Sequence, residues 1–235
     1  KVTAVRINPL DTSDGLKDLD IAISKNLDVI LLPKVNNKKQ IEIFLEKKRY
    51  IENRKNIKKN KIEFIPNIET AQGLENIKDI LNFDEVKGAL VASEDMAISL
   101  GVLESKNNDM LNFVRKRFHL ACSAYKKYSI DMPFTWNNNN VLKEELKYIK
   151  NLGILAKSSI NAAHCKIINK TLTPTLKEAN EASEIIKQFN KVLSKGKRQI
   201  LFKNQYLELP AYNSALKILN RYNEFIGYNK LTKCN

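Results

Sequence analysis

Short apolar runs alternate with amphipathic helical patterns along most of this 235-residue chain, and this alternation limits the fold more than any other feature. The apolar runs predict strands at residues 3–7, 29–33, 63–68, 88–92, 129–133 and 154–160. Apolar residues at three- and four-residue spacing predict helices at residues 15–25, 38–52, 73–81, 108–128, 141–152 and 177–195. Continuous apolar strands that alternate with helices are typical of a parallel sheet covered by helices.

The number of predicted strands bears on the choice between two parallel folds, a doubly wound sheet and a (β/α)8 barrel. The count favours a TIM (β/α)8-type barrel of the α/β class that lacks its first about two βα units in this chain. The barrel is predicted over residues 1–175, as strands three to eight. Residues 176–235 are predicted to form a C-terminal helix, a short hairpin at 199–202 and 206–209, and a terminal helix at 212–225.

The chain is strongly basic, with 40 Lys and Arg residues against 26 Asp and Glu residues and a formal net charge of +14. The lysines are scattered through Asn/Lys-rich stretches, and no nucleic-acid-binding motif accompanies them. We therefore expect a solvated basic surface and no nucleic-acid partner.

Apolar content and cysteine usage predict the compartment. No apolar run approaches the roughly 20 residues that span a bilayer, and no secretory signal precedes the first predicted strand. Three cysteines without Cys-x-x-Cys spacing predict neither a disulfide framework nor a thiolate zinc site. We expect no membrane association and a cytoplasmic protein, with an organellar matrix as the alternative.

Polar side chains follow the predicted strands, and the carboxyl ends of parallel strands meet at one mouth. Glu69 and Asp95 follow adjacent strands, and Mg²⁺ accepts one or two carboxylates together with water and substrate oxygens. Arg6 is expected beside them and offers a fork of donors to a carboxylate or an enolate oxygen. The polar residues at the strand ends are Arg6, Asn8, Lys34, Glu69, Glu94, Asp95, Asp131 and Lys157.

Each of these residues also has a structural interpretation. Glu69 directly precedes a predicted helix, so capping of that helix is an alternative to metal binding. Arg6 can belong to a structural ion pair, and Lys34 and Lys157 can extend from the strands into solvent. Their joint placement at one mouth favours a site.

Other catalytic patterns are missing or incomplete in the sequence. His119 falls within a predicted helix, and His164 follows a strand beside Cys165 without a third ligand or an orienting acid. The sequence contains no Gly-x-Ser-x-Gly elbow, Walker-type loop or Gly-x-Gly-x-x-Gly. These patterns predict no zinc centre, serine hydrolase or nucleotide-binding loop.

Several short motifs lie at the carboxyl ends of the predicted strands. They are Val5-Arg6-Ile7-Asn8-Pro9, Leu32-Pro33-Lys34-Val35, Ile68-Glu69-Thr70-Ala71-Gln72-Gly73, Ser93-Glu94-Asp95-Met96, Ile130-Asp131 and Ala156-Lys157-Ser158-Ser159-Ile160-Asn161. In this order and spacing they resemble the citrate lyase beta-subunit-like family over nearly the whole chain. The resemblance implies a Mg²⁺-dependent TIM barrel that works as a homotrimer or hexamer and acts as a carbon–carbon lyase.

The resemblance also implies roles for individual residues. Glu69 and Asp95 are expected to bind Mg²⁺, and Glu69, Arg6 and Lys34 are expected to contact the substrate. Arg6 is further expected to stabilise the enolate of an acetyl thioester. Glu208 lies where the family usually has an Asp that reaches into a neighbouring subunit's site as acid or base, and it is the second expected catalytic residue.

The expected reaction is the retro-Claisen cleavage of a 3-hydroxy-acyl thioester into an acetyl thioester and a 2-oxo acid. Citryl-CoA or a citryl-carrier-protein thioester, which gives oxaloacetate, is the first choice of substrate. Departures from the family pattern, such as Ala162 where the family often has Pro, leave other choices open. They are a malyl-CoA lyase, a thioester-independent 2-oxo-acid aldolase, and a diverged non-catalytic subunit that binds CoA or a carrier protein.

Overall fold

The computed structural model describes residues 2–57, 62–103, 105 and 108–233, and the chain divides into two compact units, Lys1–Cys165 and Lys166–Asn235. The strands of the first unit are β1 (Ala4–Arg6), β2 (Val29–Leu32), β3 (Glu63–Ile68), β4 (Gly88–Val91), β5 (Tyr128–Asp131) and β6 (Ala156–Lys157). The helices that follow them are α1 (Ser13–Ala22), α2 (Lys38–Arg54), α3 (Ala71–Glu75), α4 (Ile77–Leu81), α5 (Glu94–Leu100), α6 (Asp109–Ala124), α7 (Asn139–Asn151) and α8 (Ala162–Leu172). The chain continues with α9 (Leu176–Leu193), β7 (Gln199–Phe202), β8 (Gln205–Glu208) and α10 (Leu209–Lys233).

The strands of the first unit form one parallel sheet in the order β1-β2-β3-β4-β5-β6, so each strand pairs with its neighbours along the chain. A doubly wound sheet reverses the direction of strand addition at an internal point, and this sheet does not. The consecutive order is that of a (β/α)8 barrel. The parallel α/β prediction is therefore confirmed, and the doubly wound alternative is wrong.

The core lies where the strands meet the helices. Ile30 and Phe64 of neighbouring strands are fully buried, and Phe44 of α2 packs edge-on against Phe64 with ring centroids 6.3 Å apart. Each such side chain contributes about 1.5–3 kcal/mol to stability through the apolar surface it removes from water. Strands β2, β3 and β4 are mainly buried and are largely apolar, as predicted, whereas β1 and β5 are more exposed.

Three predicted elements differ from the structure for reasons that local contacts explain. The predicted helix at residues 73–81 is two helices, α3 and α4, because Asn76 leaves helical geometry and its side-chain amide donates to the Asn36 carbonyl (2.8 Å). The predicted helix at 108–128 ends at Ala124, since Lys126 adopts a left-handed φ of 56° and the Lys127 amide closes the turn. The predicted strand at 154–160 pairs only over Ala156–Lys157, because Ser159 and Asn161 bond to each other.

Two helices, α5 and α8, were not predicted. Helix α5 has only seven residues and ends at Gly101, whose left-handed φ of 67° suits glycine. Helix α8 contains His164 and Cys165 and follows β6 after a short turn. A segment as short as α5 gives too few helical turns for a periodic pattern to emerge.

The second unit joins two long helices and a hairpin. A capping box between Thr175 and Glu178 starts α9. The hairpin β7-β8 turns at Lys203 and Asn204, which both have positive φ, as in a type I′ turn. Phe189 of α9 packs against Tyr212 of α10 with ring centroids 5.5 Å apart. The hairpin is confirmed, and α10 is longer than the predicted helix at 212–225.

Within the described residues, no helix is both long and apolar enough to cross a membrane. Cys122 is buried and Cys165 is exposed, and both are free thiols. Burial raises the pKa of the Cys122 thiol to about 12, so this thiol is held in its unreactive form. Cys234 lies outside the described residues.

Candidate active site

Three of the predicted site residues come together at the carboxyl ends of β2, β3 and β4. Lys34 follows β2, Glu69 follows β3, and Asp95 lies in the first turn of α5 directly after β4. The Lys34 Nζ atom lies 3.1 Å from Asp95 Oδ2, and both side chains are partly exposed. We call Lys34, Glu69 and Asp95 the mouth triad.

Glu69 is the buried member of the mouth triad, with 6% of its surface exposed. Its pKa is raised, first by burial and then by the neighbouring Asp95 carboxyl, while the Asn67 side chain and the Lys34 backbone amide act to lower it. Two carboxyl groups therefore face each other with an opening to solvent on the Asp95 side. A cation between such groups relieves their repulsion.

The donor set fits Mg²⁺. Among the residues that the structure describes, no group of three or more His, Cys, Asp or Glu side chains gathers to hold a metal. Mg²⁺ needs only one or two protein carboxylates and retains water or substrate oxygens at its other positions. Asn67, buried in β3, has a side-chain oxygen without a hydrogen-bond partner among the described residues, and this oxygen can accept from such a water.

The capping interpretation of Glu69 is wrong. Thr70 is the N-cap of α3, and its Oγ1 accepts a hydrogen bond from the Gly73 amide at 3.0 Å. Glu69 lies one residue before this cap, so its carboxyl group is available at the mouth. The sequence alone does not separate capping from metal binding. A carboxylate at the end of a strand lies next to the residue that caps the following helix.

The loop after β2 is locked against β3. Lys34 has a left-handed φ of 45°, and the Val35 amide donates to the Asn67 carbonyl at 3.0 Å. A Cβ on Gly73 would lie 2.6 Å from the Val35 carbonyl oxygen, so only glycine allows α3 to approach this loop. Thr70 also bonds to Asn36. The Lys34 backbone is therefore fixed, whereas its side chain is half-exposed.

The other two predicted site residues are Arg6 and Glu208. Arg6 is the last residue of β1, exposed, and within the described residues it makes no ion pair that would support the structural interpretation. Its neighbour Asn8 is held by Asp18, which accepts from the Asn8 backbone and side chain at 3.0 and 2.8 Å. Glu208 ends β8 in the second unit and is exposed.

Asp131 and Lys157 belong to a buried ion cluster, so the solvent-exposed interpretation of Lys157 is wrong. Lys157 Nζ lies 2.7 Å from Asp131 Oδ2 and 2.6 Å from Glu145 Oε1. Arg115 completes the cluster, with Nε 2.8 Å from Asp131 Oδ1 and a terminal nitrogen 3.0 Å from Glu145 Oε2. We call these four residues the buried cluster.

The buried cluster is balanced, with two cations facing two carboxylates. Burial alone would raise the pKa of Asp131, but Lys157 and Arg115 outweigh it and hold this pKa below its ordinary value. Sequence reasoning missed Arg115 and Glu145. Their signal is a charged residue on the apolar face of a helix, beside Leu111 and Phe118 in α6 and beside Leu142 and Leu146 in α7.

The histidines take no part in the mouth triad. The His119 Nδ1 atom lies 2.8 Å from the Ser129 hydroxyl, and partial burial lowers the pKa of this imidazole. His164 is buried edge-on against Phe134, with ring centroids 5.5 Å apart. Neither joins a set of metal ligands among the described residues.

A singly wound parallel sheet with functional groups at the carboxyl ends of its strands defines the class of (β/α)-barrel enzymes. The model of the HpcH/HpaI aldolase/citrate lyase family matches residues 1–162, and the chain belongs to this family. The predicted family and the predicted lyase class are thereby confirmed.

Individual relatives agree with this assignment. The citrate lyase subunit beta of Leuconostoc mesenteroides subsp. cremoris is 27% identical over 221 residues, which cover 93% of this chain and 73% of that protein. The solved protein CitE of Mycobacterium tuberculosis, in complex with magnesium, acetoacetate and coenzyme A, superposes with a TM-score of 0.72 at 22% identity, covering 94% of this chain and 78% of that one. A citrate lyase from Burkholderia xenovorans LB400 gives a TM-score of 0.81 at 16% identity, covering 94% and 72%. These two structures show the shared barrel-type fold.

Proposed function

We propose that the chain is a Mg²⁺-dependent carbon–carbon lyase that cleaves a citryl thioester, of CoA or of a carrier protein, into an acetyl thioester and oxaloacetate. The observation that carries the proposal is the facing pair of carboxyl groups, Glu69 and Asp95, on adjacent strand ends. The similarity to the Leuconostoc citrate lyase subunit beta supports the choice of a citryl substrate. The magnesium, acetoacetate and coenzyme A in the Mycobacterium tuberculosis complex support the metal and the thioester.

Glu69 and Asp95 would hold the metal, with the Asn67 side-chain oxygen available to a water beside them. When bound, Mg²⁺ polarises the hydroxyl group of the substrate and the carbonyl group that forms from it. Glu69 is fixed by burial and by the loop after β2, which is locked against β3. The two carboxyl groups that would hold the metal are therefore organised before substrate arrives.

In the reaction, the substrate hydroxyl loses its proton to a base as the bond between the carbinol carbon and the thioester-bearing carbon breaks. The bonding pair moves into the thioester, giving an enolate, while the carbinol carbon becomes the carbonyl of oxaloacetate. The Arg6 guanidinium would donate hydrogen bonds to the enolate oxygen. Protonation of the enolate carbon then gives the acetyl thioester, and Glu208 of a neighbouring copy in a homotrimer or hexamer is our candidate for the proton transfer.

Two further features support the proposed substrate and the proposed cellular compartment. The net charge of +14 favours approach of an anionic CoA or an acidic carrier protein. The free thiols of Cys122 and Cys165 suit a reducing compartment such as the cytoplasm or an organellar matrix.

The experiment is to measure 2-oxo-acid release from citryl-CoA and malyl-CoA, with and without Mg²⁺, by the wild type and by Glu69→Gln. Glu94→Gln is the matched control, because Glu94 is the exposed neighbour of Asp95 and the substitution removes the same charge. We expect Mg²⁺-dependent oxaloacetate release that falls at least about 100-fold in Glu69→Gln and stays within about twofold in Glu94→Gln.

Other results would redirect the proposal. Glyoxylate from malyl-CoA in place of oxaloacetate from citryl-CoA would identify a malyl-CoA lyase. Cleavage of free hydroxy-oxo acids without a thioester would identify an aldolase. A folded wild type that neither cleaves a substrate nor binds Mg²⁺ would identify a non-catalytic subunit and overturn the proposal.

A further inference from the structure

Lys34 interacts with both carboxyl groups of the mouth triad. Its ammonium group pairs with Asp95 at 3.1 Å, and its backbone amide is one of the groups that lower the pKa of Glu69. One residue thus supplies a fixed donor to the buried carboxyl and a movable positive charge to the exposed one. This ammonium partly offsets the negative charge that a divalent cation would neutralise.

The Lys34 ammonium can leave this position easily. About half of the side chain is exposed, and the paired Asp95 side chain is 39% exposed, so the pair is solvated and contributes little to stability. The backbone, by contrast, is held by the Val35 and Gly73 contacts described above. Movement of the ammonium group therefore requires only rotation about side-chain bonds.

A cavity beside Lys34 offers the released ammonium a second position. It has a volume of about 550 Å³ and is lined mainly by residues that follow β1 and β2 and by α2. Its walls include the apolar side chains of Leu10, Ile43 and Phe44. Among the described residues that line it, Lys34 is the one cation and Asp11 is the one carboxylate. An acidic substrate in this cavity would therefore meet the Lys34 ammonium and no other cationic side chain of the lining.

We propose that Lys34 is an exchangeable counter-ion, which pairs with Asp95 in the metal-free protein, is displaced by the divalent cation, and then pairs with a carboxylate of the substrate in the adjacent cavity. This inference rests on the proposed function, because it needs a metal at Glu69 and Asp95. It adds an order of binding to that function, in which the metal binds before the substrate. It also makes the affinities for metal and for carboxylate substrate depend on the same side chain.

The test is titration calorimetry with Mn²⁺ as the probe, on the wild type, Lys34→Met, Lys34→Arg and Glu69→Gln, at matched thermal stability. Removal of the competing charge should lower the Mn²⁺ dissociation constant of Lys34→Met about three- to tenfold. Lys34→Arg keeps the charge and should bind Mn²⁺ as the wild type does. Lys38→Met, at an exposed lysine that begins α2, is the control for a change in net charge.

A second titration measures the other half of the exchange, with oxaloacetate as the probe and Mn²⁺-loaded protein. Lys34→Met should bind oxaloacetate at least about fivefold more weakly than the wild type, although it binds the metal more tightly. Mn²⁺ affinity of Lys34→Met that is unchanged or weaker, in a protein whose Glu69→Gln variant has lost metal binding, would overturn the counter-ion inference alone. Mn²⁺ binding that is equal in the wild type and in Glu69→Gln would overturn the metal site and therefore the proposed function.

Discussion

The buried cluster and the mouth triad both lie at carboxyl ends of strands of the same sheet, yet their charges are arranged in opposite ways. In the buried cluster, Arg115 and Lys157 face Asp131 and Glu145, and each charge has an opposite partner within 3.0 Å. In the mouth triad, two carboxyl groups share one solvated lysine. A balanced buried set is costly to break, whereas an unbalanced open set leaves a place for a cation.

The largest effect is expected from Asp131→Ala, which leaves Arg115 and Lys157 buried with one carboxylate between them. We expect the free energy of unfolding to fall by about 3–5 kcal/mol, because an uncompensated buried charge is costly. Urea denaturation measures this loss. Asp84→Ala is the control at an exposed aspartate and should change stability by less than about 0.5 kcal/mol. A loss below about 1 kcal/mol in Asp131→Ala would contradict the structural role of the cluster.

Gly73→Ala tests whether the mouth is held by backbone contacts rather than by charge. The added Cβ would meet the Val35 carbonyl oxygen at 2.6 Å, so we expect a loss of about 1–3 kcal/mol and weaker Mn²⁺ binding. Gly227→Ala is the matched control, since nothing lies within 4 Å of its Cβ, and it should gain about 0.5–1 kcal/mol in α10. Unchanged metal affinity in Gly73→Ala would show that the loop does not organise the mouth.

Glu69 and Asp131 should give opposite dependences of stability on pH. Burial and Asp95 raise the pKa of Glu69 above 4.5. The contribution of Glu69 to the free energy of unfolding is therefore present below pH 4.5 and is lost as the pH rises through its folded-state pKa. Burial opposes ionisation of Asp131, but Lys157 and Arg115 bring its pKa below 3.8. Its contribution is therefore present above pH 3.8 and is lost as the pH falls through the folded-state value.

The measurement is urea unfolding without divalent cations from about pH 3 to about pH 7, on the wild type, Glu69→Gln and Asp131→Asn. The stability of the wild type relative to Glu69→Gln should decrease with rising pH, whereas its stability relative to Asp131→Asn should increase. Slopes of the same sign would remove the contrast between the two sites.

The smallest effect on the free energy of unfolding is expected from Lys34→Met. Its solvated pair with Asp95 should contribute less than about 1 kcal/mol to the free energy of unfolding. Lys157→Met is the matched variant in the buried cluster and should lose about 3–5 kcal/mol, because Asp131 and Glu145 keep only one partner. Thermal and urea unfolding compare the two, and equal losses would mean that Lys34 is a structural lysine like Lys157.

The central strands β2, β3 and β4 could be predicted from sequence because they are mainly buried and therefore appear as largely apolar runs. The run that includes Phe64 and Ile68 gave the bounds of β3 without error. The same signal wrongly predicted strand at residues 158–160. There Ser159 and Asn161 bond to each other, and β6 no longer pairs with β5. The signal was too short at α5, whose seven residues give two turns at most.

The candidate site could be predicted only in part. That Glu69 and Asp95 meet could be predicted because parallel strands place their carboxyl ends at one edge, which depends on order along the chain alone, and their role as metal ligands stays a prediction. The partners of Lys157 could not be found in this way, since Arg115 and Glu145 lie on helices and meet it only through packing. The ion pair of Lys34 with Asp95 likewise depends on the conformation of the loop after β2. The role of Glu208 stays a prediction.

The order of the buried cluster along the chain has a consequence for synthesis on the ribosome. Arg115, Asp131 and Glu145 emerge first, and Lys157 follows 26 residues after Asp131. Until it emerges, two carboxylates share one arginine, and burying them is unfavourable. The nascent chain therefore gains the free energy of the closed cluster only when β6 has left the exit tunnel, which makes the pairing of β5 with β6 a late step of cotranslational folding.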